Sequence, residues 1–302
     1  MHPDLSTGAA WMAGEIMPIS QASIPVNDWG LIHSDITYDV VPVWDGAFFR
    51  LEHYLERFFQ SMEIWNLDPG LSADEIKLAL QALVSATGLR KAYVAMVTSR
   101  GVNVVPGSRD PRDCRNHFFA WCVPYIHVIR PEIAEAGAYV HVAKSVRRIS
   151  PGSIDPRVKN YQWGDFTRGL FEAKGAGAET TILLDGDGNV TEGPGFNVFV
   201  VKNNRLVTPD KGVLEGISRQ TVLDIANELG LDVEVRTLPL EELQQSDEVF
   251  ITTSGGGVTP ITRIDDYIFS NGAPGEITST LQKTYFEWAE RPENRTEIDY
   301  AP

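Results

Sequence analysis

The chain has 302 residues, 43% of them hydrophobic, enough for one large domain or two medium ones whose core needs no disulfide or metal staple. With 26 Lys and Arg against 41 Asp and Glu the net charge is −15, and such a surface repels nucleic acid and anionic membrane, so both are excluded as partners. Cys114 and Cys122, the two cysteines, lack metal-type spacing and make no disulfide framework, which points to a reducing, cytoplasmic setting.

The N-terminal "MHPDLSTGAAWMAGEIMPIS" has no basic segment followed by a continuous apolar one and does not read as a secretory signal. No uncharged apolar run is long enough to span a bilayer. The glycosylation-like triplets at Asn189 and Asn294 therefore carry no meaning. Repeats and low-complexity tracts are absent.

"EIMPISQASIPVND" reads as extended pieces. "LEHYLERFFQSMEIW" places Leu51, Leu55, Phe58, Phe59 and Met62 at helical spacing. "SADEIKLALQALVSATG" predicts a helix with Ser72 as N-cap, Glu75 at the capping-box position and Gly88 as its stop. "KAYVAMVTSRG" and "NHFFAWCVPYIHVI" read as strands, joined by the loop "GVNVVPGSRDPRDCRN", long enough for a functional role. A junction falls near "VPYIHVIRPEIAEAG", which divides the chain into a domain over 1–127, a linker over 128–135 and a second domain over 136–302. Beyond it come strand "AYVHVAKSV", loop "RRISPGSIDPRVK", helix "NYQWGDFTRGLFEAKGAG" and a meander over "TTILLDGDGNVTEGPGFNVFVVKNNRLVTP" with "DGDG" and "KNN" turns. "GISRQTVLDIANELG" predicts a helix capped by Ser218 and ended by Gly230. Strand "DVEVRTL", a short helix "LEELQQ", strand "DEVFITT" and the loop "SGGGVTPI" follow. Strands dominate without regular βαβ alternation, so the fold class is α+β.

Several chemistries lack their motif. No Gly-x-Ser-x-Gly, His-Glu-x-x-His or Walker lysine loop occurs. "KGAGAETT" lacks the third glycine of a dinucleotide fingerprint, and the six histidines are scattered without metal spacing. Five features remain. Lys159 in "DPRVKNYQWGDF" has Val158, Tyr161 and Trp163 as neighbours, a setting that would lower an amine's pKa and make it nucleophilic. Glu192 is a lone carboxylate between strand formers and glycines in "VTEGPGFNVFVV". Gly216–Ser218 opens a helix whose amides could hold a phosphate. Thr253 and Ser254 offer hydroxyls before a glycine run. Arg57 sits on or near the apolar face of its helix. Each alone has an ordinary structural reading: surface lysine, solvated turn, plain N-cap, loop hydroxyls, snorkelling arginine. Together they match what pyridoxal phosphate needs: a lysine for the Schiff base, an anion at the ring nitrogen, and an arginine, a helix N-terminus and hydroxyls for the phosphate.

The sequence resembles the fold-type IV pyridoxal-phosphate transaminases, a group with branched-chain and D-amino-acid transaminases, and within it looks like the (R)-selective amine transaminases. The carrying motifs are "GLIHSDITYDVVPVWDG", "FFRLEHYLERF", "IDPRVKNYQWGD", "TEGPGFNVFVVKN", "GVLEGISRQTV" and "DEVFITTSGGGVTPI". The resemblance implies a small N-terminal α/β domain, a larger C-terminal β-rich domain, the cofactor between them, and a homodimer whose active sites borrow residues from the partner. It implies Lys159 as Schiff-base lysine, Glu192 as pyridinium partner, and Arg57, Ile217, Ser218 and Ser254, with Thr253 beside them, as phosphate binders. His33, Tyr38, Val40, Tyr93, Trp163 and Gly255 fall on pocket walls. Trp163 stands where the amino-acid enzymes carry a tyrosine that contacts the ring's phenolic oxygen.

The implied reaction moves an amino group from a primary amine to a keto acid. Branched-chain enzymes resembled here place a Tyr-x-Arg on the strand reading "AYVAMV"; this chain keeps Tyr93 and has Ala95 for the arginine. A loop arginine used by many amine transaminases aligns with Pro106, which leaves Arg109 as the candidate for the keto-acid carboxylate. The alternatives are a branched-chain or D-amino-acid transaminase, a lyase of the same fold acting on a substrate such as aminodeoxychorismate, and a binding protein without activity.

Overall fold

The structure, a computed structural model, describes residues 4–300. The chain divides into two compact units. One contains the chain up to Ile126, the short stretch Val158–Gln162 and the segment from Arg291 onward; the other contains His127–Arg157 and Trp163–Glu290. Helix α4 (Pro131–Ala136), which overlaps the 128–135 segment, lies within the second unit.

Among the described residues the first unit carries a seven-stranded sheet. Its strands are β1 (Ala9–Met12), β2 (Glu15–Pro18), β3 (Ile36–Trp44), β4 (Ala47–Phe49), β5 (Ala92–Asn103), β6 (Cys114–Pro124) and, at one edge, Arg295–Glu297. Every pairing is antiparallel. β3 is buried along its whole length, as a strand covered on both faces must be. Helices α1 (Trp29–His33), α2 (Leu51–Trp65) and α3 (Ala73–Thr87) complete the unit. α3 has the expected capping box between Ser72 and Glu75, and Gly88 ends it in the left-handed region at φ 70°. At Gly101 (φ 80°) β5 bulges against β6: an added Cβ would lie 1.8 Å from the Arg115 carbonyl oxygen.

The second unit is built on a mixed sheet in the order β13 (Asp232–Val235), β12 (Arg205–Thr208), β11 (Phe196–Lys202), β15 (Glu248–Thr253), β16 (Gly257–Ile264), β7 (Ala138–Val142) and β8 (Thr180–Ile182), with β10 (Glu192–Gly193) added beside β11 and β17 (Tyr267–Ile268) beside β16. A small pair, β9 (Asn189–Val190) with β14 (Leu238–Pro239), lies apart from it. Its core includes Val140, Ile182, Val198, Val200 and Ile251. Helices α5 (Gly164–Gly175), α6 (Ile217–Glu228), α7 (Leu240–Gln244) and α8 (Glu276–Ala289) belong to the same unit. Both units mix helices and sheets without regular alternation, so the fold class is α+β. Among the described residues no helix is long and apolar enough to cross a membrane.

Three local expectations change. Lys159 is not at a helix entrance: α5 starts at Gly164, and the stretch before it is drawn to β3 by an antiparallel bridge between Asn160 and Thr37. The N-cap of α6 is Gly216, not Ser218; a Cβ at Gly216 would come 2.1 Å from Asn197 Oδ1, so only glycine allows this approach. The "SGGGVTPI" segment is a loop only through its first glycines. From Gly257 it is a central strand, buried nearly throughout, because Val258 and Ile261 reach a core that local composition does not reveal.

Candidate active site

The first unit gathers residues around Lys159. The Lys159 carbonyl oxygen accepts the Tyr38 amide at 3.1 Å and the Thr37 hydroxyl at 2.8 Å, while the Lys159 amide donates to Ser61 Oγ at 3.4 Å. The backbone is thus fixed to β3, and the amine lies 4.9 Å from the centre of the Tyr38 ring, a cation–π contact. Strand alternation places Ile36, Tyr38 and Val40 on one face of β3, where they pack with Ala95 and Val97 of β5. Tyr93, Phe119, Trp121 and Tyr161 close the cluster, with Tyr38 and Tyr161 ring centres 4.4 Å apart. Burial raises the Tyr161 phenol to about 12 and raises Tyr93 further, helped by Tyr161 and Asp39. Both phenols therefore stay protonated and able to donate at neutral pH.

Asp39 is on the alternate position of β3 and is fully buried. Arg57 of α2 reaches it with two parallel bonds, Nε to Oδ2 at 2.8 Å and Nη2 to Oδ1 at 2.7 Å. Burial works against the Arg57 charge, but the Asp39 carboxylate outweighs it and raises the guanidinium's pKa. Arg57 is therefore a fixed buried cation and not a snorkelling one.

The second unit assembles the other group. Glu192 pairs with Asn197 across β10 and β11, and Asn197 with Thr252 across β11 and β15, so the three lie in a row. Glu192 is 5% exposed. Its Oε2 accepts the Leu214 amide at 2.9 Å and Asn197 Nδ2 at 3.4 Å; its Oε1 accepts Arg148 Nε at 3.2 Å. Asn197 also donates to the Leu214 carbonyl at 2.9 Å, which ties this carboxylate to the segment that opens α6. Ile217 and Ser218 are the first two residues of that helix and are buried; Ser218 Oγ accepts the Tyr285 hydroxyl at 2.9 Å. No side chain caps the helix at Gly216, so its first amides are open to an anion. Thr253 ends β15 and its hydroxyl accepts the Gly255 amide at 3.1 Å; Ser254 lies between them, half-buried.

The remaining expected residues have these local surroundings. Trp163 packs edge-on against Phe166, centres 5.4 Å apart, over a small cluster of Ala143, Val146 and Leu183. His33 is exposed and stacks on Trp29 at 4.2 Å. Pro106 and Arg109 are exposed on the loop between β5 and β6. Sequence reasoning passed over Asp39, Arg148, Asp165 and Asn197, none of which carries a local signal; only their partners in space mark them.

The chain belongs to the class IV aminotransferases: the family described as "Amino-transferase class IV" matches residues 37–264. It is 31% identical over 278 residues to the provisionally named branched-chain-amino-acid aminotransferase of Methanocaldococcus jannaschii, covering 91% of this chain and 94% of that one. It is 29% identical over 277 residues to the D-alanine aminotransferase of Bacillus licheniformis, covering 89% and 93%. Among solved structures, the T.th. branched-chain amino acid aminotransferase with pyridoxamine 5'-phosphate is similar at 25% identity, with a TM-score of 0.89 and coverage of 97% and 99%. The protein is thus a fold-type IV, pyridoxal-phosphate-dependent aminotransferase. The donor set suits that cofactor. Within the first unit Lys159 offers an amine among aromatic rings; within the second unit Glu192 is a buried anion and α6 opens without a side-chain cap, its Ser218 hydroxyl in the first turn.

Proposed function

We propose that this aminotransferase is an (R)-selective amine:keto-acid transaminase that takes its amino group from a primary arylalkyl amine and gives it to a pyruvate-like acceptor. The observation that carries the reading is Ala95. It is fully buried on β5, in register between Val40 of β3 and Trp121 of β6, in the cluster that includes Tyr38. A substrate carboxylate buried there would need charged or multiple donors, and a methyl group offers none. An aryl or alkyl group in the same place gains about 25 cal/mol for each Å² of apolar surface removed from water.

Bound pyridoxal phosphate supplies the electron sink that stabilises negative charge on the carbon bearing the amine. Lys159 Nζ would be the nucleophile that retains the cofactor at rest and the base that moves the proton at that carbon. Glu192 would keep the ring nitrogen protonated. Arg57, Ile217, Ser218, Thr253 and Ser254 would hold the phosphate, as the resemblance implies. Tyr38, Val40, Tyr93, Ala95, Trp163 and Gly255 form pocket walls. His33, Pro106 and Arg109, all exposed in the single chain, serve the site of a second copy in a homodimer, where Arg109 meets the keto-acid carboxylate. The exposed Leu31 and Ile32 beside His33, and Val104 and Val105 beside Pro106, support that assembly.

The named activities of the relatives favour a second reading, a branched-chain or D-amino-acid transaminase. Initial rates with (R)-1-phenylethylamine, its (S) enantiomer, L-leucine and D-alanine separate the two. The (R) amine is expected to be fastest. A clear preference for either amino acid or for the (S) amine overturns the substrate reading and leaves the aminotransferase chemistry in place.

A further inference from the structure

Glu192 is embedded in a charge cluster that lies wholly within the second unit. Arg148 contacts Glu192 Oε1 through both Nε and Nη2, each at 3.2 Å. Its Nη1 donates to Asp165 Oδ2 at 2.6 Å. Asp165 is fixed in turn: it accepts the amides of Ile149 at 2.8 Å and Phe166 at 2.7 Å. The Phe166 ring lies 4.3 Å from the guanidinium carbon. The side chains of Arg148, Asp165 and Glu192 are only 7%, 8% and 7% exposed.

A carboxylate taken out of water without a cation tends to take up a proton and neutralise. A neutral Glu192 no longer favours a protonated ring nitrogen. Arginine does not give up its proton in proteins, so Arg148 holds Glu192 in its charged form. A guanidinium committed to Glu192 alone would also weaken that carboxylate's pull on the ring proton. Asp165 prevents this by drawing Arg148 to itself with the shorter bond. The three charges sum to −1, so the cluster keeps its attraction for a cation at Glu192. We propose that Arg148, anchored by Asp165 and Phe166, is a positioning residue for transamination that keeps the Glu192 carboxylate ionised and aimed. This rests on the reading of Glu192 as partner of the ring nitrogen.

The test uses the full-length holoenzyme with Arg148→Met, Arg148→Lys, Glu192→Gln and the double variant Arg148→Met/Glu192→Gln. Two signals are read: the pH dependence of the bound cofactor's visible absorbance, and the single-turnover rate with whichever of (R)-1-phenylethylamine and L-leucine the wild type uses faster. Arg148→Met is expected to shift the absorbance titration and slow the half-reaction roughly 10- to 100-fold, the size seen for outer partners of metal ligands. Arg148→Lys should recover most of the rate. The double variant should be no slower than Glu192→Gln, because Arg148 acts through Glu192. A loss in the double variant equal to the product of the two single losses overturns the proposal, as does a wild-type absorbance titration in Arg148→Met. If Glu192→Gln itself behaves as wild type, the assignment of Glu192 fails and this inference with it; if Glu192→Gln is slow and Arg148→Met is not, only the inference fails. Should Arg148→Met not yield folded holoenzyme, Asp165→Asn takes its place, with a smaller expected loss and the same non-additivity with Glu192→Gln; an additive loss again overturns the proposal.

Discussion

Lys159 is held by its backbone, with its amine left to the cluster. Two hydrogen bonds to its carbonyl oxygen and one from its amide fix the main chain against β3 and α2, so a change of side chain should leave the local fold intact. Lys159→Ala is therefore expected to give a folded protein that lacks the visible absorbance of lysine-bound cofactor and lacks turnover. Near-normal transamination by this variant would show that another amine does the work. The residue types were legible in the sequence: a lysine among aromatics, a lone glutamate between strand formers and glycines, and a helix opening with Gly-Ile-Ser. The surroundings were not. Asp39 and Arg57 are eighteen positions apart and Arg148 and Glu192 forty-four, and such pairs become visible only when strands and helices are packed. Arg109 poses a separate question, because its role depends on a second copy. Arg109→Ala should raise KM for pyruvate several-fold and leave the amine half-reaction unchanged; an unchanged KM would remove Arg109 from acceptor binding.

Elements with their own local code were readable. The helix 73–87 has its N-cap, capping box and glycine stop in the sequence, and all three operate in the structure. The helix Glu276–Ala289 had no comparable signal: its buried positions are Thr278, Leu281, Tyr285 and Ala289, too few large apolar residues to mark a face. The strand from Gly257 was hidden by its glycines and its proline. Helix 164–175 shows how contacts between elements set pH sensitivity. Glu172 accepts the Lys144 amide at 2.7 Å, the Ser145 amide at 3.0 Å, the Ser145 hydroxyl at 2.5 Å and His141 Nε2 at 2.9 Å. Burial alone would raise this carboxyl, but the hydrogen bonds from Ser145, His141 and the two amides outweigh it and bring it to about 2. A glutamate in an unfolded chain titrates near 4.3. The folded value is the lower one, so the stabilisation is fully present above about 4.3 and is lost as pH falls toward 2. Glu172→Gln should therefore lower the melting temperature at neutral pH and flatten its fall between about pH 4.5 and 2. A variant whose melting curve keeps the wild-type acid slope would assign that slope to other carboxylates.

At the scale of the molecule, the chain leaves the first unit at Ile126, returns for the five residues Val158–Gln162, and comes back from Arg291 to its end. A linear reading of composition draws one junction, with a linker over 128–135, and has no means of seeing a five-residue return, because the signal for it is the pairing of Asn160 with Thr37. The same blindness applies to contacts with another copy. Leu31 and Ile32 are 54% and 56% exposed on a helix of five residues, and Val104 and Val105 are 55% and 45% exposed beside Pro106. Single exposed apolar residues are common, but two such pairs flank residues that the proposed function places in a pocket. In a homodimer they would be covered, and each site would depend on the other copy's His33, Pro106 and Arg109. The wild type is then expected to show twice the chain mass of 33.4 kDa by light scattering. Leu31→Asp with Ile32→Asp should shift it to the single-chain mass and remove most turnover, with the circular dichroism spectrum unchanged because neither side chain belongs to the buried core. A wild type that is fully active at the single-chain mass, or a double variant that stays dimeric and active, would place the dimer contact elsewhere or remove the need for it.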